Sequence, residues 1–137
     1  LHCFCVMQRL KKEPLGYDLS QMLMTVLVDD LDRNLREMGV GDLSVGKKVK
    51  RIAEGFYGRF DAYSKGMNGD RIVLAEALKR NLYSSVPKPD EGKVIQVVDY
   101  LYREIDRLDS VGIESLQAGA VVFGQPDDPV EVRGVSK

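Results

Sequence analysis

Asp29–Lys50, DDLDRNLREMGVGDLSVGKKVK, reads as the end of one amphipathic helix, a glycine-punctuated turn, and the start of a second helix crowded with cations. Gly39 and Gly41 stand in the turn, and glycine tolerates the left-handed backbone on which helices commonly end. Working upstream, Leu19, Met22, Leu23, Val26, Leu27, Leu31, Leu35 and Met38 recur at steps of three and four. Downstream, Val45, Val49, Ile52, Phe56, Phe60 and Tyr63 keep the same period. That is the spacing of helices with one buried face, and it persists through nearly the whole chain.

The helix on the upstream side starts with Asp18 or Ser20 as its cap, and the one downstream with Asp42 or Ser44. Asp70 caps a shorter helix running through Leu82. Ser84 to Asp90, with Pro87 and Pro89, forms a turn or short linker. Val94, Val97, Val98, Leu101, Ile105 and Leu108 give the next helix one apolar face, and Gly112 begins a last helical piece through about Phe123. Leu1, Val6 and Leu10 read as the exposed end of a first helix, closed by Glu13-Pro14-Leu15-Gly16. The expected fold is all-α, a single-domain bundle of about six helices over residues 1–123. Residues 124–137, with Pro126, Pro129 and little to bury, are expected to be a mobile tail. Leu1 opens the chain in mid-pattern, so a preceding segment is expected to have been removed.

At 137 residues the chain is large enough to bury roughly two-thirds of its unfolded surface. With 44% apolar and 30% charged residues it has a globular composition. Twenty basic residues against 21 acidic ones give a net charge of −1, so electrostatic recognition has to come from a local patch. No apolar run approaches the ~20 residues that span a bilayer.

Chemistry finds little support. Cys3 and Cys5 face different directions on a helix, so a disulfide between them is not expected, and His2-Cys3-x-Cys5 lacks a second ligand pair for a metal. The two thiols read as small apolar fillers. A single histidine removes most schemes of haem ligation. Gly39-x-Gly41 followed by Gly46-Lys47 is not a phosphate loop, because a helix precedes it and Lys48 replaces Ser or Thr. No catalytic residue, metal or cofactor is expected.

Two anomalies remain. Asp29 precedes Arg33, and Asp32 precedes Arg36, by one helical turn, a favourable order worth roughly 0.2–0.5 kcal/mol per pair. Asp30 falls instead in the arc of Leu19, Leu23 and Leu27, with Asn34 one turn on. A carboxylate on an apolar face must find donors. Asp30 is therefore expected to be buried, either tied internally to a tyrosine, arginine or backbone N–H, or as part of a recessed partner-binding site. Asp29 and Asp32 are expected to be exposed. On the following helix, Lys47, Lys48, Lys50 and Arg51 crowd a start that favours acidic residues. Gly55 and Gly58 each weaken the same helix by roughly 1 kcal/mol relative to alanine. Packing explains neither, and a solvated face competes with a partner surface formed by Arg36, Asp42, Lys47, Lys50, Arg51 and Arg59, edged by Tyr57 and Tyr63.

The run Asp30-x-Asp32-x-x-Leu35-Arg36-Glu37-Met38-Gly39-Val40-Gly41-Asp42-Leu43, followed by Val45-Gly46-Lys47-x-Val49-Lys50, resembles the ubiquinol–cytochrome c chaperone family, assembly factors of the respiratory cytochrome bc1 complex. Phe56-Tyr57-Gly58-Arg59, Ala62-Tyr63 and Leu78-x-Arg80-Asn81-x-Tyr83 extend the resemblance. Leu1-His2 with Arg9-Leu10, and Gly119-x-Val121-x-Phe123, mark its edges. Cys3 and Cys5 depart from the larger apolar residues more usual there, which bears on packing more than on role.

The resemblance implies a non-enzymatic chaperone that binds cytochrome b or another bc1 subunit. Mitochondrial members also associate with a small partner, a co-chaperone, and with the ribosome. The short form is more similar to bacterial members, which implies a cytoplasmic location with peripheral contact to the inner membrane, or the mitochondrial matrix in a eukaryote. The competing expectation is a ribosome- or nucleic-acid-binding module that uses the Lys47–Arg59 face. Phosphate contacts would make such binding steeply salt-dependent.

Overall fold

A computed structural model of the chain describes residues 1–127. Six helices follow one another: α1 (His2–Leu10), α2 (Gly16–Glu37), α3 (Asp42–Met67), α4 (Arg71–Asn81), α5 (Glu91–Asp109) and α6 (Ile113–Gln117). No strand occurs among the described residues, and the expected all-α bundle is what forms.

Several helix ends follow local chemistry, but α2 starts after Leu15 and α3 after Gly41 with no side-chain cap bond, so the expected caps Asp18 or Ser20 and Asp42 or Ser44 are corrected. Gly39, at φ +86°, stops α2, and Gly69, at φ +106°, turns the chain between α3 and α4. The Asp70 carboxylate accepts from the backbone N–H groups of Ile72 and Val73 at 3.1 and 3.2 Å, satisfying donors that the first turn of α4 leaves open. Asp90 does the same for α5 through the Lys93 N–H.

The core gathers Phe4, Cys5 and Leu10 of α1, Leu74, Ala77 and Leu78 of α4, and Val98, Leu101, Ile105 and Leu108 of α5. Thus α1 is central, and the expectation that it is an exposed end is corrected: Phe4, Cys5 and Leu10 are buried because α1 lies on α5. Two buried polar side chains secure that contact. Arg9 donates to the carbonyls of Leu108 and Val111 at 3.0 and 2.8 Å, satisfying acceptors at the end of α5 and just beyond it, and pairs with Glu13. Glu104, fully buried, accepts from Arg103 Nε at 3.2 Å and from the Gly124 N–H at 2.9 Å. Close approach of α3 to α4 requires Gly66, where a Cβ would stand 2.6 Å from the Leu74 Cα.

The final helical piece is shorter than expected. It ends at Gln117, and Gly119 at φ +73° breaks the pattern before Phe123 can extend it. Residues 118–123 instead run non-helically, and Phe123 stacks on His2 with ring centroids 4.2 Å apart. Gly124 and Gln125, at the start of the expected tail, are hydrogen-bonded to α5 through Glu104, Tyr100 and Arg103. The remainder of that expected tail, 128–137, lies outside the described residues.

From residue 20 to residue 59 no described side chain joins the main core. Over this span α2 and α3 pack on each other as a two-helix arm, with Met24 and Val45 as its own buried apolar side chains. Part of the apolar stripe read along α2 is accordingly uncovered. Met22, Val26 and Met38 are exposed, and the leucines are half-buried.

Candidate functional site

The corner of the arm is held by charge. Asp32 grips Arg36 Nε with both oxygens at 2.9 and 3.1 Å, one turn apart as the sequence spacing predicts. Arg36 NH1 bonds Asp42 across the Gly39–Gly41 turn, joining the end of α2 to the start of α3. These carboxylates, Asp32 foremost, push the Arg36 guanidinium above its ordinary range.

Asp30 is not buried. Its side chain is 58% exposed, accepts from Asn34 Nδ2 at 3.2 Å and stands 4.0 Å from Arg33. The expected Asp29–Arg33 pair is therefore replaced by a loose Asp30–Arg33 contact. Helical phase does point Asp30 along the leucine arc. At this height, however, that arc borders an open groove of about 400 Å³ between α1 and α2, lined by Cys3, Leu23, Val26 and Leu27, with Asp29, Asp30 and Arg33. Asp29 is exposed as expected, whereas Asp32 is half-buried by its bond to Arg36.

On α3, Lys47, Lys48, Lys50, Arg51 and Arg59 are all exposed. Lys50 stands 3.9 Å from Glu54, and Gly58 has open space where a Cβ would be. Tyr57 is half-exposed, but Tyr63 is corrected from an edge of this surface to the core. Six residues apart, the two rings point about 120° away from each other. Tyr63 packs edge-on to Phe4 with centroids 5.5 Å apart, and burial pushes its hydroxyl pKa up. The expected set thus divides. Arg36 and Asp42 form the clip at the corner, the cations and Tyr57 lie exposed along α3, Asp30 rims the groove, and Tyr63 supports the arm from inside.

Larger or more enclosed cavities lie elsewhere among the described residues. One, about 340 Å³, is lined by Met7, Leu10, Tyr17, Tyr57 and Phe60 where the arm meets the body, with the Lys11 ammonium 4.5 Å above the Phe60 ring. Another, about 870 Å³, brings together His2, Tyr83, Lys93, Val97, Tyr100 and Phe123. There the Tyr100 hydroxyl lies 2.7 Å from His2 Nε2 and donates to the Gly124 carbonyl. Its residues are dispersed over the chain, and no local motif announces it.

The cysteines sit on α1 as free thiols, as expected. Burial pushes the Cys5 thiol up to about 12 and raises Cys3 as well, so neither is activated as a nucleophile.

Residues 1–123 match the family described as ubiquinol–cytochrome c chaperone. Ubiquinol–cytochrome-c reductase complex assembly factor 1 of Xenopus laevis is 26% identical over 125 residues, covering 90% of this chain and 62% of that protein. The Homo sapiens protein of the same description is 26% identical over 128 residues, 92% of this chain and 42% of its own. The chain thus spans less than two-thirds of the length of these relatives. The crystal structure of the Cbp3 homologue from Brucella abortus is similar at a TM-score of 0.78 and 32% identity, covering 93% of this chain and 70% of that one.

Proposed function

The chain belongs to the ubiquinol–cytochrome c chaperone family, and from that premise we propose that it serves the assembly of the cytochrome bc1 complex by holding a newly made subunit, cytochrome b or another apolar bc1 component. The role is binding and not catalysis. The observation that carries this reading is the uncovered apolar side of the arm. Val26 is 66% exposed beside a groove of Cys3, Leu23 and Leu27, while charged residues rim the same opening. An apolar membrane segment awaiting insertion needs such shelter, and apolar area removed from water supplies about 25 cal/mol per Å². The corner clip of Arg36 and Asp42, the exposed Lys47, Lys50, Arg51, Tyr57 and Arg59 along α3, and Asp30 at the groove rim orient the client through the polar groups that flank such segments.

No helix among the described residues is long and apolar enough to cross a membrane. The working location is the bacterial cytoplasm beside the inner membrane, or the matrix in a eukaryote, with a small co-chaperone as a further partner. A second reading, ribosome or nucleic-acid binding, draws on Lys47, Lys48 and Arg51, which have no ion pair among the described residues. It requires affinity to fall steeply with salt.

Affinity purification in mild detergent from respiring cells tests the client reading. Cytochrome b should co-purify with the wild type and be lost with Val26→Asp, whose exposed position leaves the fold intact. Failure of the wild type to recover any bc1 subunit overturns it.

A further inference from the structure

The corner of the arm has a chemistry of its own. Leu43 is 95% exposed and Met38 is 78% exposed, one on each side of the Gly39–Gly41 turn. Neither packs into the core, and two large apolar side chains at a glycine-flanked tip are costly to leave in water. Behind Leu43 on the same helix come Lys47, Lys50 and Arg51, all exposed. At 100° and 1.5 Å per residue these four fall within an arc of about 100°, with the cations roughly 6 to 12 Å behind the leucine along the axis.

That offset has a physical counterpart. Interfacial elements bury their apolar side about 5–10 Å into the boundary between headgroups and acyl chains. With Leu43 and Met38 at that depth, the cations stand among the phosphates. We infer that the α2–α3 corner docks on a bilayer surface bearing anionic phospholipid headgroups, Met38 and Leu43 entering and Lys47, Lys50 and Arg51 pairing with phosphate. The inference goes beyond the client reading, because it needs no protein partner and does not use the groove.

Most nearby carboxylates are disposed to permit this: Asp42 is engaged by Arg36, and Asp29 and Asp30 border the groove between α1 and α2. Glu54 shares the cation arc and stands 3.9 Å from Lys50, offsetting part of its charge. Glu37, exposed next to Met38, opposes the field and supplies a gain-of-binding test.

The experiment is flotation of the purified chain with vesicles of phosphatidylcholine alone or with phosphatidylglycerol added. Wild type should float with the mixed vesicles, not with phosphatidylcholine alone, and more weakly as salt rises. Leu43→Asp with Met38→Ser should bind at least about tenfold more weakly. Lys47→Glu with Lys50→Glu and Arg51→Glu should abolish flotation, and Glu37→Lys should strengthen it by about fivefold or more, since each cation near such a surface is worth about 1 kcal/mol, or fivefold. All these positions are exposed, and unchanged helicity checks the fold. Three results overturn the inference: no flotation, equal flotation on phosphatidylcholine, or an apolar variant that floats like wild type while the charge variant does not. The last would make the face a general polyanion surface, RNA included. Client recovery in detergent involves no bilayer, so either reading can fail without the other.

Discussion

Gly66 of α3 and Leu74 of α4 approach so closely that a Cβ on the glycine would stand 2.6 Å from the leucine Cα and the same distance from its Cβ. The obstacle is mainly backbone, and it cannot rotate away. Gly66→Ala should therefore destabilise the fold by about 1–3 kcal/mol, the cost of forcing extra volume into a packed contact. Gly58→Ala is its counterpart. That position is helical and opens on empty space, so alanine should stabilise by up to about 1 kcal/mol. Urea unfolding of the two variants should move the midpoint in opposite directions.

Asp30→Ala should leave the unfolding midpoint unchanged, because the carboxylate is exposed and its Asn34 and Arg33 contacts lie in water. A substantial loss would mean that the groove between α1 and α2 closes over it in solution.

Glu104→Ala should cost about 1–3 kcal/mol by removing, from a fully buried position, the acceptor for Arg103 and for the Gly124 N–H. Glu104→Gln keeps one acceptor oxygen and should lose less. Hydrogen exchange at the Gly124 amide offers a local readout and should accelerate in both variants.

Alkaline pH should weaken the fold. Burial raises the Cys5 thiol from 9.0 to about 12, and shifts Cys3, Tyr63 and Tyr100 in the same direction. A raised folded-state pKa means that the native protein holds its proton after the unfolded chain has released it. That stabilisation is complete below about pH 9 and drains away as pH climbs towards 12. Thermal midpoints should fall across that window. Cys5→Ser should not abolish the fall, since the remaining groups still titrate. Alkylation at neutral pH should reach Cys3 well before Cys5.

Reversal of Lys47 and Arg51 to glutamate should leave melting nearly intact, since both are exposed, yet lower accumulation of the bc1 complex in cells. Normal complex levels with the variant folded would separate this face from the client's path.

What was legible in the sequence is local. Gly39 and Asp70 end or begin helices through bonds that span a few residues, and the Asp32–Arg36 pair follows from one turn of spacing. What was not legible depends on which element lies opposite. The α2 stripe has the period of a buried face, but phase gives only direction, and along Met22 and Val26 no helix covers it. Asp30 differs from expectation for the same reason, since it faces a groove, whereas the burial of Tyr63 follows from its place in the α3 stripe and only its assignment to the partner surface fails. Arg9 reaches the Leu108 carbonyl across 99 positions, a bond that no local pattern announces.

The His2 and Phe123 rings stack with centroids 4.2 Å apart, which sets the first and last stretches of the helical body side by side. A polypeptide arriving before His2 and one departing after Phe123 would pass the same spot. The body is thus wired like a lamp on a single socket. It can be spliced into a longer chain, or re-cut by linking there and opening a surface loop such as 84–89, without stretching the helices between. A circular permutant of that design should keep the arm as it is.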